Sequence, residues 1–337
     1  MKIGIHHRRG SFSDQWIEYC EKEGILYKIV NAYDSDIILQ LSDCTAFLWH
    51  HHHNNYRDAL FAKQLLISVQ KMGLKVYPDF DANWHFDDKL SQKYLFEALK
   101  LPYIPTYVFY DKDKALEWVK TADFPKVFKL RGGAGSKNVK LIKNKWEASK
   151  KVRKAFGSGF SQFDSLDNFK ERVRRYREGK DTIVGLLKGV ARLFLPTEFS
   201  KLHGKEKGYV YFQDFILQND HDIRVIVIGD KAFAIKRLVR RGDFRASGSG
   251  NIVYDRKEID IEAVKLAFQI SSELRGQSVA FDFVKQNGKL LLVEISYCYT
   301  ANVYDLCSGY WDSNLNWFET KFNPQFWIIK NLLETKK

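Results

Sequence analysis

The residues best equipped for chemistry fall in two apolar stretches that carry carboxylates and guanidinium groups at strand spacing. In Asp222-Ile-Arg-Val-Ile-Val-Ile-Gly-Asp-Lys-Ala-Phe-Ala-Ile-Lys-Arg237, two runs rich in β-branched residues flank Gly229-Asp230, the pattern of a two-residue hairpin turn. Pairing residue 228 with 231 sets Asp222 across from Arg237 and puts Arg224 on the same sheet face. An exposed ion pair closing a hairpin is the plainer alternative, because such pairs are common and nearly neutral in energy. Arg240, Arg241 and Arg245 follow in a run rich in Gly and Ser, whose open backbone N–H groups and guanidinium groups suit a nucleotide phosphate.

The second stretch runs Ser278-Val-Ala-Phe-Asp-Phe-Val-Lys285, then Gln286-Asn-Gly288, then Lys289-Leu-Leu-Leu-Val-Glu-Ile-Ser296. Asp282 and Glu294 lie inside apolar runs, and buried carboxylates need partners. A two-residue Asn-Gly turn would send the two acids to opposite faces. A three-residue turn, Gln286 and Asn287 followed by left-handed Gly288, pairs 285 with 289 and brings both acids to one face. That register is preferred because two hard carboxylates, completed by water and phosphate oxygens, suit Mg²⁺. On this reading Asp282→Asn leaves folding intact and raises metal-free stability slightly, by relieving carboxylate repulsion.

Taken together, Asp222-Ile-Arg224, Gly229-Asp230, Lys236-Arg237, Gly242-Asp-Phe-Arg-Ala-Ser247, Asp282 and Glu294-Ile-Ser296 resemble the ATP-grasp superfamily. The resemblance is greatest to the branch of ribosomal-protein glutamate ligases and glutathione synthetase-like carboxylate–amine ligases, over roughly residues 85 to 300. It implies an α/β and α+β chain: an ATP-grasp fold with an N-terminal parallel-sheet (pre-ATP-grasp) domain. The expected division is residues 1–82 for that domain, 83–208 for a central subdomain with a glycine-rich lid and a basic insertion, and 209–337 for a C-terminal subdomain with the metal site.

The resemblance also assigns roles. Asp282, Glu294 and Ser296 would hold Mg²⁺ or Mn²⁺, with Ser296 standing where the family usually has Asn, a weaker and shorter oxygen ligand. Arg237, Arg245 and Ser247 would lie beside the transferred phosphoryl group, Ser247 again replacing an Asn of the closest relatives. Asp222 would contact ribose, and Arg224 and Lys236 the nucleotide. In the hinge Tyr209-Val-Tyr-Phe-Gln-Asp-Phe-Ile216, residues Gln213, Asp214, Phe215 and Ile216 would hold adenine. Lys89 and Lys129 resemble the two nucleotide-contacting lysines.

Just after Lys129 comes Arg131-Gly-Gly-Ala-Gly-Ser-Lys-Asn138. It fails the P-loop spacing, and Asn138 occupies the last position of a Gly-x-Gly-x-x-Gly pattern. A strand-loop-strand cradle remains, in which Gly132, Gly133 and Gly135, with Ser136, permit close approach to phosphates. The family uses this loop as a lid over the triphosphate.

The elements that must position these residues are legible upstream. Strands at Lys2–His6, Ile25–Val30, Thr45–Trp49 and Leu74–Tyr77 alternate with helices at Phe12–Glu23 and Tyr56–Met72, which argues for a parallel sheet with covering helices. Ligands bind beyond the carboxyl ends of such strands. His6-His-Arg-Arg9 and His50-His-His-His53 fall there. For the four histidines the readings are a metal site, a solvated loop or contact with an anionic substrate, and the shared rim is a candidate carboxylate pocket. Asp88–Leu99 reads as a helix opening at Lys89, and Asn323-Pro-Gln-Phe-Trp-Ile-Ile as a capped helix with an apolar face for packing.

Composition bounds the partners. The chain of 337 residues is 45% hydrophobic, with a formal charge of +13. Between Lys145 and Lys207 sixteen Lys and Arg stand against eight Asp and Glu, so +8 of that charge lies there. It comes without a recognition motif, so no specific nucleic acid partner is expected. The segment from Phe156 to Leu202 is read as shaping an acceptor site or as a structural insertion. Four scattered cysteines indicate neither a zinc site nor a disulfide framework. No apolar run suits a bilayer crossing and no signal-peptide pattern opens the chain, so a cytoplasmic location is expected. A homodimer is left open.

The expected activity is ATP- and Mg²⁺-dependent, ADP-forming amide-bond formation through an acyl phosphate. It would join the carboxylate of an anionic small molecule, saccharide or peptide to an amine. A small-molecule kinase and a non-catalytic nucleotide-binding scaffold are the alternatives.

Overall fold

The structure is a computed structural model, and it describes residues 1–132, 138–161, 169, 172–173, 176, 182–185, 190, 204–240, 243–246 and 248–334. The chain forms two compact units. The first comprises Met1–His52, Arg57–Tyr103 and Ile216–Lys337, and the second His53–Tyr56 and Ile104–Phe215.

The first unit opens with strand β1 (Lys2–His6), helix α1 (Phe12–Lys22), β2 (Leu26–Val30), a short α2 (Ile37–Gln40), β3 (Ala46–Trp49), α3 (Tyr56–Lys71) and β4 (Lys75–Tyr77). The four strands pair in the order β2-β1-β3-β4, all parallel. This is the sheet that the alternation of elements implies. Helix α1 begins where Ser11 accepts a bond from the Ser13 N–H, an N-cap that satisfies an otherwise orphaned donor. After α4 (Phe80–Asn83), helix α5 (Lys89–Ala98) starts at Asp88, whose side chain accepts from the N–H groups of Leu90 and Ser91. The cap therefore fixes where Lys89 emerges.

The second unit holds β5 (Thr106–Phe109), α6 (Lys112–Thr121), β6 (Lys126–Lys129), β7 (Lys140–Ile142), α7 (Lys145–Ala155), the short pair β8 (Phe160–Ser161) and β9 (Lys205–Glu206), and β10 (Val210–Asp214). Its main sheet runs β5-β10-β6-β7. Val210, Phe212, Phe128 and Leu130 pack with Ala115, Val119, Ala148 and Val152 of α6 and α7 in one core. Most of the segment read as an insertion, 162–168 and 191–202 included, lies outside the described residues.

The first unit resumes with β11 (His221–Ile228), β12 (Lys231–Leu238), β13 (Ile252–Val253), α8 (Ile261–Leu274), β14 (Ser278–Gln286), β15 (Lys289–Ser296), β16 (Tyr310–Asp312), β17 (Trp317–Phe318) and α9 (Pro324–Glu334). The sheet order is β15-β14-β11-β12-β16-β17, with β13 also on β12. Ile226, Ile228, Phe233, Ile235 and Ala280 face one core with Trp16 of α1 and Ile328, Ile329 and Leu332 of α9. Ile223, Val225, Val227, Phe281 and Phe283 face another, covered by Val264, Ala267 and Ile270 of α8. Helix α9 is capped as its sequence implies, the Asn323 side chain accepting from the N–H groups of Gln325 and Phe326.

The first hairpin has the expected register: Ile228 faces Lys231 and Asp222 faces Arg237. Gly229 takes a positive φ of 58°, as a two-residue turn with Gly at its first position requires. The second hairpin corrects the expected turn. Gln286 pairs with Lys289, so the turn is the two-residue Asn287-Gly288, with φ of 48° and 78°, the signs of a type I′ turn. By that register alone Glu294 would face Phe281, on the α8 side. A bulge intervenes: Phe283 pairs with Leu292 while Asp282 pairs with Glu294. Val293 is the extra residue, and one extra residue inverts every side chain beyond it. Both acids reach one face, by a bulge rather than by a longer turn.

The two turn glycines separate backbone strain from steric conflict. Gly288→Ala meets nothing within 4 Å, so its cost is the left-handed backbone alone, roughly 1–2 kcal/mol. Gly229→Ala carries the same strain and also drives its Cβ into the Asn331 side chain. Urea midpoints should fall for both variants and fall further for Gly229→Ala. Equal midpoints would show that Asn331 swings aside freely.

Candidate active site

The face that is apolar at Ile226 and Ile228 turns charged toward the other end of the same strands. Alternation along β11 puts Asp222 and Arg224 on the face shared with Ile226, and cross-strand pairing adds Arg237, Asp282 and Glu294. Arg237 donates from Nε and Nη2 to the two oxygens of Asp222 at 2.6 and 2.7 Å. Arg224 grips Asp282 in the same way, at 2.5 and 2.6 Å, and Arg237 Nη2 makes a third contact with Asp282 at 3.0 Å. Asp222 is 8% exposed, Arg237 6% and Asp282 5%. The exposed ion pair considered for this hairpin is thus replaced by a four-residue network, three of its members buried and Arg224 half-buried, in which planar guanidinium groups bind carboxylates bidentately.

The network sets its own ionisation. Burial alone would raise the Asp282 carboxyl, but Arg224 and Arg237 outweigh it and hold it well below the usual carboxylate range. For Asp222 burial prevails and its carboxyl is raised, whereas Arg237 is stabilised in its charged form. Both Asp222 oxygens accept from guanidinium nitrogens, which is the geometry of an ionised pair.

Lys89, buried at the first position of α5, donates to Glu294 at 3.3 Å. Burial opposes its charge, yet Glu294, Asp87 and Asp88 raise it above the ordinary lysine value. The register of α5 on β15 is held by Gln92, which donates to the Ile295 carbonyl at 2.8 Å and accepts from the Ile295 N–H at 3.2 Å. Gln92 behaves as a one-residue strand partner. Nothing in its sequence context marks it.

Asp282 and Glu294, opposite one another on one face, are a hard-oxygen pair suited to a divalent cation. Ser296 fits less well, since its hydroxyl donates to the Cys298 carbonyl at 2.8 Å and accepts from the Cys298 N–H at 3.1 Å. Among the described residues no group of three or more His, Cys, Asp or Glu could hold a metal.

The remaining expected residues divide. Lys236 lies on the opposite sheet face, bound to Glu258 at 2.9 Å, because adjacent strand residues point apart. Arg245 pairs with Asp243 at 2.7 Å. In the second unit Lys129 donates to Gln213 at 2.7 Å, and Gln213 donates to Thr106 at 3.2 Å and Tyr211 at 3.4 Å. Asp214 instead takes Lys126 at 2.6 Å, a lysine that sequence reasoning passed over although both ends of β6 carry one. Phe215 and Ile216 follow β10, Ile216 buried. Gly132 is buried beside Arg131, whose N–H donates to Tyr209 at 2.6 Å. Gly133, Gly135, Ser136 and Ser247 lie outside the described residues.

Two histidines of the run, His50 and His51, are buried, and His52 and His53 are half-buried. His50 stacks on Phe12 at 3.7 Å between centroids, and its Nδ1 accepts from the Phe12 N–H at 3.1 Å. The neutral ring therefore carries its proton on Nε2, which lies 3.1 Å from Cys298 Sγ. Burial keeps His50 neutral and pushes the Cys298 thiol up to about 12. His51 binds Asn83 at 2.7 Å and Tyr297 donates to its carbonyl. These contacts fasten the carboxyl ends of β1 and β3 to the segment that follows Glu294. Arg8 and Arg9 stay exposed there, and Ser13 Oγ pins both the N–H and the carbonyl of Arg8.

With this geometry in place, comparison with known proteins is informative. Residues 198–304 match the family model described as RimK-like ATP-grasp domain. The α-aminoadipate–LysW ligase LysX of Saccharolobus solfataricus is 23% identical over 273 residues, spanning 80% of this chain and 82% of the relative. A RimK domain protein of Sphaerobacter thermophilus superposes with a TM-score of 0.56 at 14% identity, covering 99% of this chain and 100% of that one. D-cycloserine synthetase DcsG gives a TM-score of 0.59 at 14% identity, with 99% of each chain covered. The family match is confined to residues 198–304, and the architecture of the chain is the ATP-grasp fold with an N-terminal parallel sheet. No described helix is long and apolar enough to cross a membrane.

The guanidinium contacts overturn the expectation that neutralising Asp282 spares or stabilises the protein. Asp282→Ala should cost about 3–5 kcal/mol, because it strips the half-buried Arg224 of its carboxylate and the buried Arg237 of one contact. Asp282→Asn should also destabilise. The pH dependence carries a sign: a depressed carboxyl contributes stability that is full above its unfolded value, near 3.9, and is lost as pH falls below it. The wild type should lose more stability than Asp282→Asn between about pH 5 and pH 2, read from urea midpoints. Parallel pH curves would mean that Asp282 is not ionised in the fold.

Proposed function

We propose that the protein is an ATP-dependent carboxylate–amine ligase. The γ-phosphoryl group of ATP passes to a carboxylate oxygen, and the attacking amine expels phosphate from the acyl phosphate, leaving an amide, ADP and phosphate. The observation that carries this reading is the Asp222–Arg237, Arg224–Asp282, Glu294 face, built within a RimK-like ATP-grasp domain. The relatives favour ligation over the kinase alternative: one is named a ligase, another a synthetase, and D-alanine–D-alanine ligase of Bacillus anthracis, solved with ATP, has a TM-score of 0.54 at 11% identity.

Lys129 and Lys89 are assigned to the nucleotide phosphates, and the buried Gln213 with the hinge Asp214–Ile216 to the base. Arg237, locked by Asp222, supplies fixed positive charge beside the transferred group. Asp282 and Glu294 would hold Mg²⁺ or Mn²⁺, which when bound neutralises phosphate charge and polarises the phosphoryl group. One fold neighbour, a biotin carboxylase domain, was solved with ADP and magnesium. Arg8, on its pinned loop at the carboxyl end of β1, is the candidate that receives a substrate carboxylate, since ligands of parallel sheets bind at that edge.

Incubation with ATP, Mg²⁺ and mixed acids and amines should release ADP and phosphate with an amide detectable by mass spectrometry. AMP with pyrophosphate would overturn the mechanism, and a stable phosphorylated product would favour the kinase. Asp282→Asn should lower kcat by several orders of magnitude, the loss expected when several kcal/mol of transition-state stabilisation disappears. Once the acid is known, Arg8→Gln should raise its KM while leaving the KM for ATP unchanged. A rise in both would remove Arg8 from substrate recognition.

A further inference from the structure

Every carboxylate of the charged face carries a cation in this arrangement. Arg224 covers both oxygens of Asp282, Arg237 covers Asp222 and touches Asp282, and Lys89 touches Glu294. Among the described residues, Arg224, Arg237 and Lys89 match Asp222, Asp282 and Glu294 one for one, and Asp87 and Asp88 add negative charge beside Lys89.

The three cations are not equivalent. Arg237 is held by two contacts to its own carboxylate, Asp222, and its side chain is 8% exposed. Arg224 has Asp282 as its bidentate partner and its side chain is 21% exposed. The Lys89 contact, at 3.3 Å, is the longest of the set. A metal ion held by the same two carboxylates would lie beside Arg224 and Lys89, and like charges that close repel strongly in a low-dielectric site.

We propose that Arg224 and Lys89 are exchangeable counterions, which leave Asp282 and Glu294 for anionic oxygens of the nucleotide when a divalent cation takes the two carboxylates. The inference rests on the nucleotide reading above and adds an order of events to it. A divalent cation arriving alone would displace Arg224 and Lys89 from their carboxylates and give them no anion in return, which is costly away from water. Arriving with a triphosphate, it brings its own compensation and gives Arg224 and Lys89 new partners. Metal therefore enters with the nucleotide and not ahead of it. Asp222 and Arg237 remain paired throughout as the fixed half of the network.

The test is metal binding, independent of turnover. Mn²⁺ alone, titrated by paramagnetic resonance, should bind wild type weakly and Arg224→Met at least roughly tenfold more tightly, with Lys89→Met shifted the same way. Adding Asp282→Asn to Arg224→Met should abolish the gain. Unchanged Mn²⁺ affinity in folded Arg224→Met, or wild-type binding as tight as the variant, overturns the exchange. Should Arg224→Met fail to fold, the Arg224 Nε–H resonance of wild type decides. It should stay in place with Mg²⁺ alone and move when Mg²⁺ is added with a non-hydrolysable ATP analogue. An analogue that binds while this resonance stays fixed overturns the exchange alone. An analogue that does not bind at all overturns the functional reading and the exchange with it.

Discussion

The structure depends on keeping two carboxylates and two guanidinium groups ionised on a buried sheet face. Burial works against every one of them, and only mutual, bidentate pairing makes the arrangement tolerable. The cross-strand rows Arg237–Asp222 and Arg224–Asp282 alternate in sign, so each charge meets its opposite laterally. Half a strand away, the same face is packed with Ile226, Ile228, Phe233 and Ile235. That apolar core keeps the strands in register, and register brings the charged rows together.

Rigidity around the network has separate sources. Gln92 of α5 ties into β15 beside Glu294, and the Asp88 cap fixes the start of α5 where Lys89 emerges. On the other side the loop Ser296–Tyr299 is anchored by the Ser296 hydroxyl, the His51 carbonyl and the buried His50. The aromatic and histidine content that could suggest a ligand cage is thus consumed in fastening the parallel sheet to the end of β15. His50 shows why a residue type alone misleads: a histidine whose Nδ1 takes a backbone N–H, and whose ring stacks on Phe12, is a packing element with a fixed tautomer.

The second unit solves a simpler problem. Its apolar face buries Phe128, Phe212 and Val210 under α6 and α7. The opposite face presents Lys129, Gln213, Tyr211 and Thr106 as one hydrogen-bonded set. The period-two alternation of β6 and β10 separates the two roles, and it also sends Asp214 to Lys126 and away from Gln213.

Much of this was legible in the sequence, for identifiable reasons. The first hairpin is specified locally, since β-branched runs around Gly229-Asp230 leave one sensible register, and Asp222 opposite Arg237 follows by counting. The parallel sheet followed from alternation of elements, and the start of the last helix at Asn323 from capping chemistry. Tertiary structure decided the rest. Whether Asp222 and Arg237 are exposed or buried depends on what covers the sheet. That Glu294 shares a face with Asp282 depends on a bulge at Val293, which no local residue signals because a bulge answers to the curvature of the whole sheet. Lys89, Gln92 and His50 have partners 205, 203 and 248 residues away along the chain. Contacts at such distances are selected by packing, not by local propensity, so residue types and spacing revealed which groups could do chemistry while the fold alone determined which of them meet.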